Sequence, residues 1–386
     1  QLSDTAYLKT MAYYNLFDNE LMMNNFDTLS TYDDTSYGLS LEAGTTWLAR
    51  NTLKAAVHYR NDKHTGWDKE YSPFFVTPKQ DAEEETWSFG LENTFHATSR
   101  LDLVAGISYD DRNTKKVEQF SKGQTPEFFE YETKDASAWN YQGAAVWRYS
   151  DTGRLNFSAS RRVSMPTMFH RFSSRFGGAT SNPGLKPEKA LNFELALSDR
   201  IGENWFGEIA LFHNKIDDLM QGVDVEYPAG SGRFYTQNQN VGKGTFKGVE
   251  LSLNGFINPS LEVGGNYTYT HADIDLDRTA VNSTLTRNEI PRHAGMVYAK
   301  WTPTPRISVM PYIESASSRW SPNIMSGDPD VRTGSYTLAN FRVAYQVTPD
   351  LDVSLTARNL FDKNYELKHS YPEEGRNFML TARVRY

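Results

Sequence analysis

The feature that most constrains this chain is a two-residue alternation of apolar and polar side chains, which recurs along its length between connections that are short and long in turn. Leu53, Ala55, Val57 and Tyr59 fall on one face of one stretch. In another, Leu191, Phe193, Leu195 and Leu197 alternate with Asn192, Glu194, Ala196 and Ser198. A period of two sends successive side chains to opposite faces of a β-strand, so each stretch carries one apolar row and one mostly polar row. Read from Thr5 to Tyr386, the pattern predicts about sixteen antiparallel strands of about ten to fifteen residues, the length a tilted strand needs to cross a bilayer. Strands of soluble sandwiches run to about five or six residues, and their connections rarely sort so regularly by length.

Tight turns are expected at residues 49–51, 98–100, 151–154 and 202–204. Between them lie longer polar segments: a loop through Asp33 and Asp34, then His64 to Ala82, Asp111 to Asp135 and Val163 to Asn182. An open edge in hydrocarbon would leave backbone groups unpaired, so the fold class predicted is an all-β, closed antiparallel transmembrane barrel, taken as a single domain over residues 1–386.

Composition enters here because it removes the rivals. Mean hydropathy is -0.61 and no apolar run approaches the roughly 18 residues of a membrane helix. A barrel strand shows lipid only one face, so low hydropathy excludes helical spans alone. With no cysteine among 386 residues there is no disulfide framework and no thiolate metal site. A net charge of -8 argues against a nucleic-acid surface, which needs a basic patch.

Few patterns suggest reaction chemistry. Gly242-Lys243-Gly244-Thr245-Phe246-Lys247-Gly248 lacks the order of a phosphate-binding loop and runs into a strand. Asp33 and Asp34 are adjacent rather than alternating. Asp273, Asp275 and Asp277 match only the first positions of a calcium loop, so both groups read as solvated loop acids. The eight histidines are scattered, and no Gly-x-Ser-x-Gly elbow accompanies them, so neither a metal site, nor a cofactor, nor an enzyme is expected.

Three segments carry a family resemblance. Asn182-Pro183-Gly184-Leu185-Lys186-Pro187-Glu188, followed by a strand containing Glu194, resembles a motif of TonB-dependent outer-membrane receptors. Asn240-Val241-Gly242 with Gly248-Val249-Glu250-Leu251, and Asn359-Leu360-Phe361-Asp362-Lys363-Asn364-Tyr365, are similar to two more, and Pro291-Arg292-His293 opens a strand as in that family. The resemblance spans essentially the whole chain, but as the carboxyl-terminal part of a receptor. The family barrel has about 22 strands and encloses an N-terminal plug, which has no counterpart in these residues.

The resemblance implies a Gram-negative outer-membrane receptor that imports a scarce chelate, either a ferric siderophore, cobalamin or haem. It would be powered through the plug by the TonB-ExbB-ExbD complex and surrounded by outer-membrane lipid and lipopolysaccharide. Ligand capture is expected in the long loops, on Tyr71, Phe74, Phe75, Phe169, His170, Arg171, Arg175 and Phe176, whose rings and cations suit an anionic ligand. Each of these residues is equally compatible with loop packing. His170 lies roughly where haem-uptake receptors carry a haem-binding His, although Val163-Ser164-Met165-Pro166 departs from their Phe-Arg-Ala-Pro. A passive or structural sixteen-stranded pore is the alternative. At the C-terminus Phe378, Leu380, Ala382, Val384 and Tyr386 form one face, opposite Met379, Thr381, Arg383 and Arg385. This resembles the assembly signal of outer-membrane barrels and places the arginines in the lumen.

Overall fold

The computed structural model describes residues 3–23, 27–121, 126–172, 179–226, 229–276, 290–321 and 331–385. The alternating stretches form one eighteen-stranded sheet in which every pairing is antiparallel. Strands β1 (Ala6–Met23), β2 (Thr28–Thr45) and β3 (Asn51–Tyr71) begin the wall, with β4 (Phe74–Val76) a short outgrowth on the end of β3. The wall continues through β5 (Gln80–His96) and β6 (Leu101–Ser121), which carries a second outgrowth, β7 (Glu127–Glu130). After β8 (Ala136–Trp147) and β9 (Arg154–Ser164) comes a loop holding the five-residue helix α1 (Met168–Phe172).

Next are β10 (Glu188–Ile201) and β11 (Trp205–Asp217), followed by a separate hairpin, β12 (Met220–Glu226) with β13 (Phe234–Asn240). Strands β14 (Gly242–Asn258), β15 (Leu261–Leu276), β16 (His293–Thr304) and β17 (Ile307–Ala316) then extend the wall. The small pair β18 (Trp320–Ser321) and β19 (Val331–Arg332) precedes β20 (Tyr336–Thr348) and β21 (Leu351–Arg358). A last pair, β22 (Glu366–Lys368) with β23 (Tyr371–Pro372), leads to β24 (Asn377–Val384).

Setting aside the outgrowths β4 and β7, sixteen long strands of the eighteen pair neighbour to neighbour in chain order. Among the described residues β1 pairs only with β2 and β24 only with β21, so the expected direct closure between the two ends of the wall is not made.

The registers sort the side chains into two rows. Leu41, Val57, Phe89, Tyr109 and Trp139 face one another across five successive strands. Val309, Val343, Leu355 and Leu380 do the same at the far end of the wall. Phe89, Trp139, Leu355 and Leu380 are all exposed, an apolar band that lipid, not water, satisfies. Its upper margin is aromatic, with Tyr59 and Trp87 rings 4.7 Å apart and Tyr109 and Trp139 rings 4.8 Å apart. The opposite row is polar: Lys9 pairs with Glu42 at 3.2 Å, Lys54 with Glu92 at 3.3 Å, and Arg385 with Asp352 at 2.8 Å. That row faces the lumen.

Near the short-turn end, one lumenal arrangement occurs twice. A β carbon on Gly44 would lie 2.2 Å from the Tyr7 ring, and one on Gly264 would lie 2.7 Å from the Tyr298 ring, so each tyrosine lies over a glycine of the neighbouring strand. The Tyr7 hydroxyl donates to Glu42 at 2.7 Å and the Tyr298 hydroxyl to Glu262 at 2.8 Å. Lys9 and Lys300, two residues beyond each tyrosine, pair with the same carboxylates.

At the outer end the strands run further than the sequence predicts. Asp33 and Asp34 belong to β2 and not to a loop, and Asp34 meets His64 of β3 at 2.6 Å. Most of the expected loop from His64 to Ala82 is the end of β3 and the start of β5, which leaves residues 72–79 to connect them. Asp111 to Ser121 is likewise part of β6, held to β5 by Lys115 on Glu85 at 2.5 Å. Above the lipid both faces of a strand meet water, so alternation disappears while the backbone ladder and ion pairs persist.

Candidate functional site

The long connections gather at the end of the wall above the aromatic margin, and their anchoring explains the sequence motifs. Pro183, Gly184 and Pro187 keep residues 182–187 out of regular structure. Asn182 Nδ2 donates to Asn238 O at 2.8 Å, and the Asn182 backbone N–H donates to Arg171 O at 2.7 Å. Asn240 is the central connector. Its Oδ1 accepts from Lys186 N at 2.8 Å, and its Nδ2 lies 2.9 Å from Lys186 O and 2.7 Å from Asp218 O. Glu188 Oε1 accepts from Met220 N at 2.6 Å. Two motifs more than fifty positions apart are therefore one structural joint, resting on the buried cluster Leu219, Val223 and Val241. The third motif works locally: Asn359, at φ 49°, bonds the backbone of Lys363 in both directions, and Asp362 accepts from Arg376 N.

Beneath α1 lies a buried charge cluster that sequence reading missed. Arg171 Nη2 donates to Glu84 Oε2 at 2.5 Å and its Nη1 donates to Thr114 Oγ1 at 3.1 Å. Arg112 Nε lies 3.6 Å from the same Glu84 oxygen, and Arg112 Nη1 donates to Pro166 O at 2.5 Å. Glu84, Arg112 and Arg171 are 4%, 5% and 3% exposed, so the loop is pinned to the wall from within. Burial pulls the Arg171 guanidinium below its ordinary value, against the opposing pull of Glu84. No sequence signal marks Glu84 or Arg112, because their partners come together only through the fold.

The expected ligand residues fall into separate patches. Tyr71 ends β3, and Phe74 and Phe75 lie in β4. All three are exposed, with Lys69 Nζ 5.0 Å from the Tyr71 ring centre and 5.9 Å from that of Phe74. Phe75 stacks on Phe120 at 6.0 Å. Phe169 and His170 are exposed on α1, with rings 6.3 Å apart, and His170 Nδ1 accepts from Thr167 N at 3.4 Å. Arg171 differs from these: it is buried against Glu84 and turned from the mouth. Arg175, Phe176 and Tyr386 lie outside the described residues.

The patches occupy opposite faces of the β6/β7 ladder. Phe120, under Phe75, sits opposite Phe128, whereas Tyr131, which packs on Phe172 of α1, bonds Gln119. Further aromatics join them, including Trp67 with Lys79 Nζ 4.0 Å from its ring centre. Among the described residues the mouth thus presents aromatic rings beside cations. Among the described residues no group of three His, Asp or Glu side chains could hold a metal ion.

A family model for TonB dependent receptor-like β-barrels matches residues 2–360. The chain belongs to the TonB-dependent receptor β-barrel family. It is accordingly an outer-membrane β-barrel, and the relatives it matches are receptors and transporters, not enzymes.

The iron-regulated outer membrane virulence protein of Vibrio cholerae is 27% identical over 212 residues, covering 53% of this chain and 32% of that protein. The vitamin B12 transporter BtuB of Photobacterium profundum is 25% identical, covering 93% of this chain and 60% of that one. Among solved structures, the copper transporter OprC superposes with a TM-score of 0.83 at 17% identity, covering 99% of this chain and 63% of that one. The ferric-catecholate import receptor Fiu of Escherichia coli K12 gives 0.73 at 18% identity, covering 100% and 62%. The present barrel thus spans less than two thirds of each of these relatives.

Proposed function

We propose that this barrel is the wall of a receptor that imports a scarce chelate, a ferric siderophore, cobalamin or haem, with energy delivered by TonB with ExbB and ExbD. Residues 1–386 form one barrel domain in this reading, and TonB acts through a plug as in the complete receptor. The observation that carries the proposal is the family match over residues 2–360, joined to relatives named for vitamin B12 and catecholate siderophores. Ligand contacts fall on the exposed mouth residues Tyr71, Phe74, Phe75, Phe169 and His170, with Arg175 and Phe176 completing the loop. Arg171 positions that loop and does not touch the ligand. The alternative reading is a passive or structural sixteen-stranded pore, through which solutes would pass without TonB.

The test is uptake by cells producing the full-length receptor, offered a labelled ferric catecholate, cyanocobalamin or haem, with TonB present or deleted. Accumulation of one ligand only when TonB is present supports import, and permeation that ignores TonB overturns it. Phe74→Ala with Phe75→Ala is expected to weaken binding of that ligand. Substitutions in the turn at residues 151–154 are expected to leave binding intact.

A further inference from the structure

Strand β16 begins at His293, lower on the wall than the end of its neighbour β15 at Leu276. Above β16 this leaves a notch bounded by Thr270 to Asp273 on one side and by Ser317 to Trp320 with Arg332 on the other, a cavity of about 530 Å³. That volume is in the range of small-molecule sites. Arg292 lines the notch, together with Arg319 and Arg332. Asp273 is the one carboxylate among the lining residues, so guanidinium charge exceeds carboxylate charge by two, before any contribution from His271 and His293. Among the described residues none of the three arginines makes an ion pair, and Arg319 has only the Tyr336 ring, 5.9 Å away. Arg292 and Arg332 are exposed. Three guanidinia that make no ion pair among the described residues line one cavity, an arrangement that an anion with several acceptor oxygens suits through charge-assisted, bidentate hydrogen bonds.

The height of the notch narrows the ligand further. Tyr267 Oη and His293 Nδ1 are 2.7 Å apart, and Tyr269 packs on His293 with ring centres 5.3 Å apart, on the lipid-facing row at its aromatic margin. His271 and Asp273 continue that row upward and line the notch. The cavity therefore opens at the level where headgroups meet the protein.

We propose that the notch of Arg292, Arg319 and Arg332 binds a phosphate group, carried by a lipid headgroup of the outer leaflet or by a soluble anion. Trp320 supplies an apolar wall and an indole reporter. This site is separate from the mouth patches on β4 and α1, and it does not depend on which chelate is imported.

The full-length receptor in detergent is titrated with lipid A bearing its phosphates, with lipid A stripped of them, and with inorganic phosphate, followed by tryptophan fluorescence and native mass spectrometry. Phosphorylated lipid A is expected to bind. In the R292Q/R319Q/R332Q variant its affinity falls roughly tenfold or more, since each charged hydrogen bond contributes about one to two powers of ten. Heat-modifiable mobility confirms that the variant is folded, and R332Q alone, at the rim, provides a milder second test with a smaller loss. Binding of inorganic phosphate with the same arginine dependence supports a phosphate site fed from solution, and binding of phosphorylated lipid A alone supports the lipid source. Equal affinity of wild type and variants for both phosphate probes, equal binding of stripped and phosphorylated lipid A, or no binding of either phosphate probe by the wild type overturns the proposal.

Discussion

Arg171 Nη2 and Glu84 Oε2 meet at 2.5 Å across 87 positions of sequence, and this contact fastens the α1 loop to the wall. Glu84 is the one carboxylate between two buried guanidinia, and Arg112 also holds the backbone of Pro166 at the start of the loop. Such an arrangement adds little stability over an apolar one of the same shape, but removing its carboxylate leaves two buried charges uncompensated.

Glu84→Gln is therefore expected to cost about 3 to 5 kcal/mol locally. The cost falls on residues 165–187 and not on the whole wall. Hydrogen exchange should speed up in that loop while heat-modifiable mobility persists. Unchanged protection there would show that the ion pair does not hold the loop.

Asn240 joins two motifs through contacts to Lys186 and Asp218. Asn240→Ala removes them at about 1 kcal/mol each, and more if Lys186 N is left without a partner. Hydrogen exchange is expected to rise at residues 182–189 and 218–220 together. A rise confined to one of the two segments would contradict a shared joint.

Gly248 and Gly90 give opposite results. A β carbon at Gly248 would lie 1.9 Å from Tyr269 O on the adjacent strand, whereas one at Gly90 meets nothing within 4 Å. Gly248→Ala must push β14 from β15, an overpacking cost of about 1 to 3 kcal/mol or more. Gly90→Ala is expected to be silent. Thermal loss of the heat-modifiable form measures both.

Leu380 lies opposite Leu355 on the apolar row and Thr381 lies opposite Ser354 on the polar one. Arginine near the bilayer midplane costs about 2 to 4 kcal/mol on the lipid face. Leu380→Arg should deplete heat-modifiable protein from the outer-membrane fraction, and Thr381→Arg should not. Equal assembly of the two would refute this facing, and with it the role proposed for Phe378, Leu380, Val384 and Tyr386 in delivery to the membrane.

The wall was legible wherever lipid enforces alternation: Leu53 to Tyr59 and Leu191 to Leu197 fall on the apolar row as their spacing predicts. It was illegible above the membrane, where Asp33, Asp34 and Lys115 continue strands with polar residues on both faces. In the candidate site, exposed rings such as Phe74 and Phe169 were identifiable by type and loop position. The burial of Arg171 was not, since its partner Glu84 reads in sequence as one more acid in a run of three, Glu83 to Glu85.

The tyrosines laid over Gly44 and Gly264 bear on clearance inside the barrel. A tyrosine on an inward-facing row ordinarily stands off the sheet and narrows the bore. With glycine beneath it and a carboxylate holding its hydroxyl, each ring instead lies flat against its neighbour strand, so its bulk is taken up in the thickness of the wall. At these two points the bore is narrowed less than an upright tyrosine would narrow it, and the lumenal surface there is a ring face beside a lysine–glutamate pair.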